Sequence, residues 1–171
     1  MIMWLKRFQN WLPVILLTVF FAPPAFGAGS CTPSWAYQGA LSHQLLFDCT
    51  GDAVDGSIPD IEMGDAAFAL LQGHRLEFVS AWPVSGGTAP DAADVFVFDV
   101  YGEDLLGSPD GGTTAGQGAN LIDPDYKQTT QPFPNKGVGP NFPIITHKYT
   151  LRVTGQATAS ARYYVMLGFA K

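Results

Sequence analysis

Charge is scarce in this chain, and positive charge most of all: 9 of its 171 residues are Lys or Arg and 15 are Asp or Glu. So acidic a surface repels phosphate backbones and anionic lipid, which argues against nucleic-acid binding and against a polybasic membrane patch. No apolar run reaches the twenty or so residues that cross a bilayer as a helix. The three histidines, His43, His74 and His147, are too far apart for the H-x-x-H or H-E-x-x-H spacing of zinc sites. There is no G-x-S-x-G, no P-loop and no Rossmann glycine run. The segment GQGANL (116–121) falls short of that fingerprint, and its glycines read as turn formers. These absences leave no constellation for nucleophilic, metal-assisted or nucleotide-dependent catalysis.

The first thirty residues are richer. Lys6 and Arg7 precede an apolar run of about ten residues (12–21), interrupted early by Pro13. Small residues follow at Ala25 and Gly27, in the arrangement of a secretory signal cut after Gly27. Cleavage would leave one domain, residues 28–171, long enough to bury a real core. It would carry seven basic and fifteen acidic residues, a formal charge of about −8.

The chain has two cysteines, Cys31 and Cys49. In an exported protein they are expected to pair, closing a loop of about 18 residues and contributing roughly 3 kcal/mol through loop-closure entropy. The competing arrangement, a lipoprotein acylated at Cys31, would leave Cys49 as a free thiol in an oxidising compartment.

Plentiful Gly, Pro and aromatic residues with little charge favour short strands joined by turns. Leu45, Phe47 and Cys49 share one face of an extended segment, and Gly39-Ala40 is a possible hairpin or bulge. Residues 50–65 read as an acidic loop with a short extended piece around Ile58 and Ile61. Residues 66–71 (AAFALL) fit helix or strand, with Gly73 as a stop. Residues 74–82 read as a strand with Leu76 and Phe78 on one face, ended by Pro83. VFVFDVY (95–101) is apolar on nearly both faces, so it belongs inside a sheet covered on both sides. Residues 107–147 form a long irregular Gly/Pro-rich stretch, read as an ordered surface excursion with one short strand. The alternating segments 149–154 and 163–169 read as a terminal hairpin. The expected fold is an all-β, antiparallel, jelly-roll-like β-sandwich.

Several of these segments are familiar together. DAVDG (52–56), Trp82-Pro83, TAPDAADVFVFDVYGEDLLG (88–107), GQGANL (116–121) and KYTLRVTGQATASARYYVML (148–167) resemble small, largely uncharacterised β-rich proteins found among tailed-phage structural and tail-associated genes. That resemblance covers most of the chain and implies a β-sandwich that self-associates or decorates a larger assembly, with no catalytic residues. Tyr101-Gly102-Glu103 departs from it, standing where the group tends to have an acidic-Gly turn.

The residues give a matching functional expectation: an exported, non-enzymatic structural, adhesive or assembly protein acting through its surface, with itself or a larger extracellular assembly as partner. A calcium-assisted carbohydrate-binding module is the alternative. Tyr126, Phe133 and Phe142 are the candidate ligand or partner contacts, because loop aromatics mark interaction sites. Trp35, Tyr37 and Trp82 are either core or stacking surface. Asp52, Asp55 and Asp60 are the candidate calcium ligands, from an acidic Gly-containing loop that otherwise reads as a solvated turn. Asp99, at the end of the VFVFDVY strand, is the one candidate buried acid for a hydrolase.

Overall fold

The computed structural model of the chain describes residues 28–102, 104–106, 119–130 and 144–171. The expected signal peptide, 1–27, lies outside them. Nine strands and one short helix occur among the described residues: β1 (Ser30–Gln38), β2 (Ser42–Thr50), β3 (Ile61–Glu62), α1 (Asp65–Leu71), β4 (Arg75–Pro83), β5 (Ala93–Phe98), β6 (Ala119–Ile122), β7 (Gln128–Thr130), β8 (Thr150–Thr154) and β9 (Arg162–Ala170). They build two antiparallel sheets, ordered β1-β2-β9-β4-β7 and β3-β8-β5-β6. The expected all-β sandwich is the fold.

Period-two alternation supplies the core. Leu45, Phe47 and Cys49 on β2, Val79 and Ala81 on β4, and Tyr163, Val165, Leu167 and Phe169 on β9 point inward from the larger sheet. Val95 and Val97 on β5 and Leu151 and Val153 on β8 meet them from the smaller one. β1 and β2 form the hairpin that Gly39 allows, with the Gly39 N–H donating to the Ser42 carbonyl at 2.8 Å. Cys31 and Cys49 face each other across it and are disulfide-bonded, so the edge strand is stapled at its start. The Ala- and Leu-rich segment 66–71 resolves as helix, as its propensity favours. It buries Leu71 and ends where Gly73 adopts a left-handed φ of 80°.

Three local expectations are corrected. The last two strands are not a hairpin: β8 pairs with β3 and β5 in one sheet, β9 with β2 and β4 in the other. The turn at 155–160 therefore crosses between sheets. Leu76 and Phe78 do not share a face, because the β4–β9 register shifts between them. Leu76 enters the core opposite Phe169, while Phe78 turns outward opposite Gly168. The long irregular stretch carries two short strands among its described residues, where one was expected, β6 joining the smaller sheet and β7 the larger.

β5 lies inside its sheet, as a strand apolar on both faces should. Its outward rings, Phe96 and Phe98, stack at 5.4 Å, and the Arg152 guanidinium sits 4.8 Å over Phe98.

Candidate functional site

The acidic loop spreads its carboxylates over local turns and three separate cations. Asp52 Oδ1 accepts from the Val54 and Asp55 backbone N–H groups at 2.6 and 3.3 Å. Asp55 Oδ1 accepts from the Ser57 N–H at 2.9 Å. Hydrogen bonds from Ser57 hold the Asp55 carboxyl below the usual carboxylate range. Asp60 takes both arms of the Arg152 guanidinium, at 2.8 and 2.5 Å, which lowers its carboxyl in the same way. Glu62 and Asp65 bracket Lys148 at 3.6 and 2.7 Å, and Asp48 meets Arg162 at 3.3 Å. Asp52 and Asp55 thus share one turn, whereas Asp60 is committed to the smaller sheet. Among the described residues no three metal-ligating side chains gather.

Asp99 is half-buried, and its Oδ1 accepts from the Tyr101 N–H at 2.8 Å, forming a turn that Gly102 completes with a φ of 79°. Beside it, an open cleft of about 460 Å³ is lined by Glu62, Phe68, Asp99, His147, Lys148 and Thr150. Its one lysine is already neutralised by Glu62 and Asp65. Of the loop aromatics, Tyr126 stands 69 % exposed beside β7. Phe133 and Phe142 lie outside the described residues.

A larger feature occupies the outer face of the five-stranded sheet. The register aligns Thr32, Asp48, Tyr164 and Trp82 in one row across β1, β2, β9 and β4. The next row is Ser34, Leu46, Met166, Ser80 and Thr129, and the one after it Tyr37, Gln44, Gly168 and Phe78. Outward positions of a solvated antiparallel sheet are normally polar. Here Leu46, Phe78, Trp82, Tyr164 and Met166 occupy them half-buried, with Tyr37 at 52 % exposure on the margin.

The rings pack on one another and on the sheet. The Trp82 and Tyr164 centroids are 5.5 Å apart with planes tilted by 46°, and Lys127 Nζ sits 4.3 Å above the indole. Phe78 lies flat over Gly168: a Cβ built on that glycine would run into the ring. Ser80, beneath these side chains, bonds Thr129 hydroxyl to hydroxyl at 2.7 Å. The Asp48–Arg162 pair borders the patch. Its apolar side chains are half-buried rather than fully covered.

Reading the sequence singled out Tyr37 and Trp82 but missed Leu46, Phe78, Tyr164 and Met166. Phe78 was hidden by the bulge. The others left one usable signal, apolar residues at positions where the core alternation calls for polar ones.

At one end of the sandwich two distant histidines meet. His43 on β2 and His74, just before β4, are each 6 % exposed, with ring centroids 4.9 Å apart and planes at 63°. Trp35 meets His43 edge-on at 5.9 Å. Among the described residues nothing hydrogen-bonds His43 Nδ1 or either ring nitrogen of His74. Burial, and then the neighbouring His74, lower the His43 pKa from its ordinary value.

Comparison with protein-family models, with curated proteins and with solved structures finds no match for the chain.

Proposed function

We propose that the protein is an exported, non-enzymatic adhesive or assembly component that docks through the outer face of its five-stranded sheet. Its partner is a second copy or a larger extracellular assembly. One observation carries this reading: six apolar or aromatic side chains, Tyr37, Leu46, Phe78, Trp82, Tyr164 and Met166, stand together in registered rows at outward positions of one sheet, half-buried or exposed. Export is supported by the leader-like residues 1–27 and by the Cys31–Cys49 disulfide, which belongs in an oxidising compartment. No helix among the described residues is long and apolar enough to cross a membrane. The resemblance to tail-associated β-rich proteins points to the same kind of role.

The free edge of β1 serves this purpose poorly. Pro33, opposite Phe47, has no N–H to offer an added strand, which blunts edge-to-edge pairing. Association is therefore assigned to the face. Light scattering on the exported protein tests it: the wild type should associate with rising concentration, and Met166→Lys, at the centre of the patch, should hold it monomeric. A wild-type protein that stays monomeric and captures nothing through this face refutes the proposal.

A second reading, carbohydrate binding, draws on the flat Phe78 ring and the Trp82–Tyr164 pair with Gln44, Asp48 and Arg162 alongside. Binding on a glycan array that Trp82→Ala abolishes would favour it. A chelator should leave that binding intact, since Asp60 pairs with Arg152 on the opposite sheet.

A further inference from the structure

We infer that the buried His43–His74 contact is an acid-sensitive latch, closing its end of the sandwich at neutral pH and releasing it as His43 takes up a proton. The two imidazoles are pressed ring against ring and both are more than nine-tenths buried, so the closed structure disfavours a charge on His43. A proton on His43 puts a cation where its Nδ1 finds no acceptor among the described residues, against a His74 ring whose two nitrogens are also unpartnered there.

Among the described residues no carboxylate hydrogen-bonds or pairs with either ring. β1 presents Trp35 to His43, and β9 presents Phe169 in register with it. The His74 backbone is held by the carbonyl of Leu71, from α1, and by the N–H of Ile145. Of the charged groups on these elements, Asp48 on β2 pairs with Arg162 on β9 and Asp65 on α1 pairs with Lys148, while Arg75 and Glu77 on β4 and Lys171 after β9 are exposed.

The position of the pair decides what opens. His43 lies one residue into β2, where β1 is already irregular between Trp35 and Tyr37. Cys31–Cys49 staples the far end of the same hairpin. Protonation therefore frees the Trp35–Gln38 and Ser42–Gln44 end of the hairpin while the stapled end stays in the sheet, exposing Trp35 and the pocket of about 210 Å³ that it lines with Leu45, Phe47 and Met63. The release goes beyond the docking proposal and does not depend on it, because its readout needs no partner.

Hydrogen exchange on the full exported protein at pH 7.5 and 5.0, corrected for the intrinsic rate, tests the latch. One imidazole kept neutral by the fold raises the local opening constant by up to about thirtyfold over this range. We expect at least a fivefold rise at residues 35–38 and 42–44, none at residues 47–49, and loss of the rise in His43→Leu. If that variant fails to fold, titration of the wild-type His43 ring by NMR decides in its place, and a midpoint at or above 6.5 in the folded protein overturns the inference. So does a rise below fivefold, or a rise shared equally by residues 47–49. Stoichiometric zinc binding that removes the pH response would overturn it too, making the pair a metal site instead.

Discussion

Gly168 and Phe78 offer the sharpest test of the outer-face geometry. A glycine inside a strand costs roughly 0.5–1 kcal/mol relative to alanine, so Gly168→Ala would ordinarily stabilise β9. Here the added methyl meets the Phe78 ring that covers the glycine from the neighbouring strand. The ring lies on an open face and can swing aside, so the penalty is the loss of its partial burial rather than full core overpacking. With about 1.5–3 kcal/mol for burying such a side chain completely, half-burial is worth about 1 kcal/mol. Crowding adds to that, leaving Gly168→Ala net destabilising by about 1 kcal/mol. Phe78→Ala alone should cost about as much.

In the Phe78→Ala background the obstacle is gone, and Gly168→Ala should become neutral or stabilising by up to about 0.5–1 kcal/mol. The sign of the glycine substitution therefore inverts between backgrounds, with a coupling on the order of 1–2 kcal/mol. Urea denaturation of the oxidised protein at fixed pH, run on all four members of the cycle, measures it. Effects that add to within about 0.4 kcal/mol would mean that Phe78 does not lie over Gly168.

The remaining expectations concern stability. Replacing both Cys31 and Cys49 by serine should lower unfolding stability by about 3 kcal/mol, read from the shift in denaturation midpoint, since the bond closes a separation of 18 residues; an unchanged midpoint would show that the staple constrains nothing. Tyr163 is fully buried and no described residue bonds its hydroxyl, so Tyr163→Phe should be neutral or stabilising by up to about 1 kcal/mol, and a loss above that would reveal a missed partner. Arg152 holds the folded Asp60 carboxyl below its ordinary value of 3.8, so that stability is present above this pH and fades as the carboxyl protonates on further acidification. Both side chains are nearly half exposed, so solvent screening keeps the contribution under about 1 kcal/mol. Wild type and Asp60→Asn should accordingly differ near pH 6 and draw together as the pH falls below 3.8, and a gap that stays the same on acidification would refute the ion-pair account.

Much of the framework was readable because it depends on local alternation. The inward rows Leu45-Phe47-Cys49 and Tyr163-Val165-Leu167-Phe169 follow from a period of two, and Gly39, Gly73 and Pro83 end elements as their backbone limits require. Alternation does not say which strand a strand will meet. Segments 149–154 and 163–169 bury the same faces whether they form a hairpin or arch across the core, so their split between sheets was not legible. The register shift beside Glu77 is equally silent, because only pairing against β9 decides where the extra residue sits. His43 and His74 are thirty-one positions apart, and their contact depends on that same pairing.

The outer face was harder to see for a related reason. A strand apolar on both sides must be covered on both, and nothing within the strand says by what. On β5 the cover comes from the chain itself: Arg152 lies over Phe98 and is fixed there by Asp60, 92 residues away. β9 makes the same demand with Tyr164 and Met166, and β2 and β4 repeat it with Leu46, Phe78 and Trp82. Those side chains remain only half-buried. Cover supplied from another molecule would satisfy all three strands at once, which is the reason the docking proposal is placed on this sheet and not on the acidic loop.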